Sequence, residues 1–260
     1  MTANMFSNAS TGNLIPNKDP SSVSGSQFIQ NNWKLTGATR EQNILNEFLS
    51  GNIPDFLRKF KAVTVTDGAN NITYLVTPDY LSIGSDNDYV RMPMNPLTAQ
   101  KIADKYDCSL PTKKMVDDIW RQSENQINPL PWGPPYDSSM MSTERIKIHN
   151  ERIQVQLANK DMTALTSGHK KDVVLTNRLS PNNPAKRVAI YGWIQSDGKP
   201  IQGLNPVSHE DTYADYSHGI RLVANDVMLN GSLVKIQDIF KDTKLSALIS
   251  NEGVLTFTKY

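Results

Sequence analysis

Residues 187–194 read Arg-Val-Ala-Ile-Tyr-Gly-Trp-Ile, an apolar and aromatic run interrupted by one glycine. β-Branched and aromatic side chains fit a pleated, half-buried surface, so this run reads as a strand. Three further stretches share its character: KDVVLT at Lys171–Thr176, GIRLVA at Gly219–Ala224 and VLTFTK at Val254–Lys259. Asp197-Gly198 and Asn230-Gly231 are tight-turn pairs, because residues that tolerate positive φ are favoured there. A helical stretch is expected around Lys235–Ile249, between the last two of these strands. The last hundred residues are therefore read as β-rich.

Upstream, the apolar spacing changes from two residues toward the helical period. Thr39-Arg-Glu-Gln42 fits a capping box that opens a helix. Ile44, Leu45, Phe48 and Leu49 would share one face, and Gly51 would end the helix. PDFLRKF, from Pro54, restarts a short turn. Lys61–Thr66 and Ile72–Val76 alternate as two strands, joined by a five-residue loop around Asp67-Gly68. Asn95-Pro96 places a cap and a first-turn proline where helices prefer them, and the helix should reach about Tyr106. Leu110-Pro111-Thr112 separates it from a helix through Met115, Val116, Ile119 and Trp120. PLPWGPP, Pro129–Pro135, is too proline-rich for helix or central strand. Ser142 or Thr143 starts a longer helix to about Asn159, with Ile146, His149, Ile153 and Leu157 along one side.

The expected fold is α+β, a helix-rich N-terminal half followed by a β-rich C-terminal half. Three parts follow: a polar, flexible N-terminal arm over 1–38, a helix-rich part with a β-hairpin over 39–135, and a long helix with the β-rich, site-bearing part over 136–260. The last two can share one domain.

Composition narrows the function. The 260 residues carry 27 Lys plus Arg against 26 Asp plus Glu, a net charge of +1. The bulk attraction behind non-specific nucleic-acid binding is therefore missing, and no nucleic-acid partner is expected. One cysteine, Cys108, forms no internal disulfide and no multi-thiolate metal centre. No apolar window is long enough to span a membrane. Through Asn32 the only charges are Lys18 and Asp19, in an Asn/Ser/Thr/Gly-rich tract with apolar anchors at Met5, Phe6, Leu14, Ile15, Phe28 and Ile29. Such a tract lacks the charged and apolar regions of a signal peptide. We expect a cytoplasmic protein or one carried in a particle, with the arm as an attachment to a protein assembly.

Candidate chemistry concentrates between Gly168 and Arg221, in the segments SGHKKD, IYGW and SHEDTYADYSHGIRL. His169, Asp172, His209, Asp215 and His218 are the candidate catalytic groups, since a histidine beside carboxylates can be tuned as a general acid or base. Ser217 and His218 are adjacent and point apart in an extended chain, so a serine–histidine pair would need His209 or His169. Lys171 and Arg221 could orient an anionic group. Tyr191, Trp193, Tyr213, Tyr216 and Ser217 complete the expected binding surface for sugar rings or peptides. His169, Asp172, His209 and His218 are also the candidate metal ligands, with zinc the suited ion.

Ser217-His218-Gly219-Ile220-Arg221-Leu222 resembles the end of the catalytic signature of the YkuD-type L,D-transpeptidases, Ser/Thr-His-Gly-Cys, one variable residue, then Arg. In that family the cysteine attacks peptidoglycan stem peptides, and a histidine-glycine element lies upstream. Here the cysteine is absent, Arg221 stands one residue closer to the glycine, and Tyr191 occupies the place of the upstream histidine. The resemblance therefore implies a β-rich domain acting on cell wall by another mechanism. Two functional expectations follow. One is a hydrolase-like enzyme on cell-wall peptide or glycan, with the His/Asp/Tyr groups as its site. The other is a non-enzymatic structural or cargo protein of a virion or injection particle, attached by the N-terminal arm.

Overall fold

The structure, a computed structural model, describes residues 14–179, 181–204 and 208–260. Met5 and Phe6 of the expected arm lie outside the described residues. In chain order come α1 (Gly25–Asn31), α2 (Gly37–Leu49), β1 (Lys61–Asp67), β2 (Asn70–Val76), β3 (Ser82–Ser85) and β4 (Asp88–Arg91). They are followed by α3 (Pro96–Lys105), β5 (Cys108–Ser109), α4 (Lys113–Gln122), β6 (Asn125–Gln126) and α5 (Thr143–Leu157). The remainder is β7 (Thr166–Ser167), β8 (Lys171–Val173), β9 (Ile190–Ile194), β10 (Pro200–Gln202), β11 (His218–Gly219), β12 (Val223–Ala224), β13 (Asp226–Leu229), β14 (Ser232–Lys235) and α6 (Ile236–Lys241). The fold is mixed α+β.

Helices crowd the first half, but strands do not wait for the second. The largest sheet has the order β14-β13-β2-β12-β5, with β1 on β2. It draws on both ends of the chain. A smaller sheet, β10-β9-β8-β11, carries most of the predicted site. One hydrophobic core runs from Ile15 to Phe257 and joins both sheets to the helices.

Capping chemistry set several boundaries correctly. Asn95 accepts the Thr98 N–H ahead of α3, Thr112 that of Met115 ahead of α4, and Ser142 that of Arg145 ahead of α5. Asn230 and Gly231 both have positive φ and close the β13–β14 hairpin, as a type I′ turn requires. Cys108 is buried, and burial raises its thiol pKa.

Four expectations are corrected. α2 starts at Gly37 after Thr36, so Thr39 is inside the helix rather than its cap. Arg40 and Glu41 are buried there. Arg40 donates to the Met141 carbonyl, and Glu41 accepts the Asn95 N–H. The β1–β2 loop has two residues rather than five, because Asp67 pairs with Asn70 and the ladder continues to the turn. VLTFTK forms no strand. Asn177 accepts the Thr256 N–H and donates to the Val254 carbonyl, while Leu255 and Phe257 alternate into the core. The alternation recorded one buried face, which needs no ladder.

The fourth correction concerns residues 14–38 of the expected flexible arm. Residues 14–38 are packed into the body, with Ile15, Phe28 and Ile29 buried. Ser24 and Gln27 form a complete capping box at the start of α1. A Cβ on Gly25 would come within 2.7 Å of the Tyr89 backbone, so glycine lets α1 lie against β4. Asp88 then accepts both the N–H and the hydroxyl of Ser26. Side-chain caps and three apolar anchors offset an ordering cost that the polar composition alone would not.

Candidate functional site

The site is built on β8, held between β9 and β11. β8 and β11 run parallel, placing Lys171 beside His218 and Asp172 beside Gly219. β9 runs antiparallel on the other edge and sets Gly192 opposite Lys171. A Cβ at Gly219 would lie 2.6 Å from the Tyr80 ring and 2.7 Å from Lys170 Cβ, so only glycine admits this approach. Gly192 and Trp193 both have positive φ, 122° and 55°. That bend is unusual for a tryptophan. It delivers the Trp193 N–H to the Lys170 carbonyl at 3.0 Å and the indole N–H to the His169 carbonyl at 3.1 Å.

The predicted residues separate into two clusters. The inner one is closed. His169 Nε2 lies 3.2 Å from Asp79 Oδ1, and the other oxygen of Asp79 accepts from Arg91 Nη2 at 2.6 Å and Nε at 3.0 Å. Asp172 Oδ2 accepts the Tyr80 hydroxyl at 2.8 Å. Arg221 stacks on the Tyr80 ring at 4.5 Å, lies 4.0 Å from Asp172, and donates to the Thr77 and Thr166 carbonyls at 2.6 Å each. Lys170 donates to the Tyr216 carbonyl at 2.5 Å and sits 3.2 Å from His149 Nδ1. A crevice bordered by Tyr80, Asp172, Trp193 and Arg221 has no room for a water.

Burial governs the charges here. It lowers His169 to about 4 despite the Asp79 carboxylate, and raises Asp172 to about 7 despite Arg221. Burial and then Arg91 bring Lys170 down to about 7. Burial, then Lys170, hold His149 well below the usual imidazole value. For Asp79 burial works upward, but Arg91 and His169 outweigh it and keep the carboxyl ionised.

The outer cluster reaches the surface. His209 is half-buried and stacks on Tyr213 with ring centroids 4.0 Å apart and planes 6° from parallel. The Tyr213 hydroxyl donates to Asp215 Oδ2 at 2.8 Å, and the Tyr213 ring meets His218 edge-on at 5.6 Å. Lys171 lies over Trp193 at 4.5 Å. Burial would raise Asp215, but His218, Lys171 and the two Ser217 hydrogen bonds hold it at about 2. His218 is fully buried with neither ring nitrogen hydrogen-bonded, and burial brings it to about 4 against the pull of Asp215.

The chain matches no protein-family model, no curated protein and no solved structure. Chemistry at the site therefore rests on its own geometry.

Ser217 donates its hydroxyl to Asp215 Oδ1 at 2.5 Å, and its N–H to the same oxygen at 2.8 Å. Neither His169 nor His218 takes that proton, so the expected serine–histidine pairing is not formed. Nor are the candidate metal ligands brought together. Among the described residues no three His, Cys, Asp or Glu side chains are arranged to hold a metal ion. His169 turns to Asp79, Asp172 to Tyr80, and His209 to Tyr213. Two expected binding aromatics are also occupied. Tyr191 donates to Asp117 at 2.7 Å, and the Tyr216 hydroxyl accepts the Trp132 N–H at 2.7 Å.

Asp79, Tyr80, Arg91, His149 and Lys170 complete the inner cluster and were not among the predicted residues. A faint signal existed. Asp79 and Arg91 each interrupt an apolar run, and His149 shares the buried side of α5 with Ile146 and Ile153. A charge inside an apolar run must find a buried partner.

Proposed function

We propose that the chain is a hydrolase-like enzyme acting on cell-wall peptide or glycan, with its acid–base chemistry in the outer cluster. One observation carries this reading: His218, buried and with both ring nitrogens unbonded, sits behind Asp215 and the half-buried His209, Tyr213 and Lys171. Buried imidazoles without hydrogen bonds are rare and costly. His169 is another, but it lies against Asp79 in the closed cluster, whereas His218 adjoins the half-buried rim. In this reading His209 exchanges a proton with the substrate at the mouth. Asp215 and His218 set its electrostatic surroundings, and Lys171 holds an anionic group. Ser217 secures Asp215 and is not the nucleophile. The wall as target is supported by the resemblance of Ser217–Arg221 to the transpeptidase signature.

This reading is favoured over a particle protein attached by an arm over 1–38, because residues 14–38 are built into the body. The test is release of soluble fragments from purified cell wall. His209→Ala, at a half-buried position, should leave the far-ultraviolet spectrum intact and lower the rate about a hundredfold or more. A parent chain that releases nothing, with or without added zinc, would refute the proposal.

A further inference from the structure

A roomier cavity than the inner crevice lies away from the predicted site. A cleft of about 850 Å³, open mouth included, lies between the start of α1, the β3–β4 turn and the outer face of α5. A second hollow of about 430 Å³ continues from it, and Tyr89, Gln154 and Met162 line both. With the open mouths excluded, the cleft holds about 360 Å³, within the range of about 300–1,000 Å³ common for ligand sites, and the second hollow about 130 Å³, below it. The two meet where the Tyr89 hydroxyl bonds Gln154 Oε1 at 3.3 Å. The inner hollow ends on Asp79 and Thr166. Asp79 is the carboxylate that ties Arg91 to His169, and the Thr166 carbonyl accepts from Arg221. The groove thus leads from the surface to the back of the inner cluster.

Its lining suits an uncharged, hydroxyl-rich chain. Carboxylates of Asp86, Asp88 and Glu151 offer acceptors, and Lys147 and Asn87 offer donors. Lys147 and Glu151 already pair at 2.5 Å, which moderates the net field. Planar carboxylates and carboxamides present two oxygens, or an oxygen and a nitrogen, at the spacing of neighbouring sugar hydroxyls. Ile29, Val90 and Met162 provide apolar patches for the C–H faces of the rings. An anionic ligand would face the carboxylates of Asp86 and Asp88 without a free partner.

We propose that this groove is a glycan-binding site, taking an oligosaccharide of N-acetylhexosamines along the Gly25–Met162 wall toward Asp79. The proposal rests on the cell-wall reading for its choice of sugar and not on the outer cluster. The probe is the β-1,4-linked N-acetylglucosamine tetramer, titrated into the full chain by calorimetry and by amide chemical-shift mapping. We expect saturable binding with shifts on β4 and α5. Met162 is 39% exposed, so Met162→Trp should fold normally and fill the shared wall. It should lower affinity at least tenfold, and Gln154→Ala should lower it severalfold. Thermal midpoints equal to that of the parent would certify both variants as folded. No binding by the parent chain, or binding that Met162→Trp leaves unchanged, overturns the proposal. Wall hydrolysis without tetramer binding would remove the groove and keep the enzyme. Tetramer binding without hydrolysis would keep the groove and remove the enzyme.

Discussion

The inner and outer clusters are made from neighbouring residues of the same strands, yet they solve opposite problems. Asp172 and Lys171 are consecutive on β8. Asp172 faces the buried Tyr80 and Arg221, whereas Lys171 leans over Trp193 toward Asp215. In the inner cluster the strongest ionic groups are closed off and paired, Asp79 with Arg91, Asp172 with Tyr80 and Lys170 with a carbonyl, while His169 makes no hydrogen bond and is held only by its 3.2 Å approach to Asp79. In the outer cluster Asp215 is matched, but His218 is not, and His209 still meets solvent. A matched, closed cluster fixes how elements pack. An unmatched group beside an opening keeps capacity for a ligand. The difference shows why clustered ionisable residues are an incomplete guide to catalysis.

The largest effect should come from breaking the inner match. Arg91→Ala strands the Asp79 carboxylate without its doubly donating partner and removes one of the hydrogen bonds that Asn150 Oδ1 accepts. We expect a loss of about 3–5 kcal/mol in denaturant unfolding, the usual result of leaving one partner of a buried pair behind. A loss below 1 kcal/mol would mean that the inner cluster is hydrated and not closed.

Acid should sharpen the contrast next. His218 is held near 4 in the fold against an ordinary value of 6.5. The unfolded chain therefore takes up the proton first as pH falls. The His218 contribution is intact above about pH 6.5, is lost progressively from there, and levels off below about 4. Asp172, raised to about 7, works in the opposite direction between its ordinary value and 7, so the parent profile is partly flattened. Comparison with His218→Gln isolates the histidine, and the two profiles should differ in their change from pH 7 to pH 4 by about 3 kcal/mol. The half-buried His209 should give a smaller difference in the same experiment. Equal differences for the two variants would erase the distinction between buried and rim imidazoles.

The smallest effect belongs to the rim. Tyr213→Phe removes the hydrogen bond to Asp215 and keeps the ring under His209. It should cost about 1 kcal/mol of stability. A cost comparable to that of Arg91→Ala would place Tyr213 with the inner cluster.

Much of the local structure was legible in the sequence. Ser, Thr and Asn caps, a first-turn proline and an Asn-Gly pair act within a few residues of themselves, so α3, α4, α5 and the β13–β14 hairpin could be read directly. Residues 14–38 were misread as flexible because composition counts polar residues and overlooks where three apolar ones can dock. The strand at 254–259 was misread because alternation reports burial and not pairing.

For the site, the sequence by itself determined that ionisable and aromatic residues would gather around β8 and β11, and that one cysteine excluded disulfide and multi-thiolate chemistry. Only the tertiary structure decided which of those residues face one another. Asp79 and Arg91 arrive from the first half of the chain, and His149 from α5, to meet His169 and Lys170 on the β8 side. Register on a strand and approach across a core are long-range outcomes of packing, and no local pattern of residues encodes a partner ninety positions away.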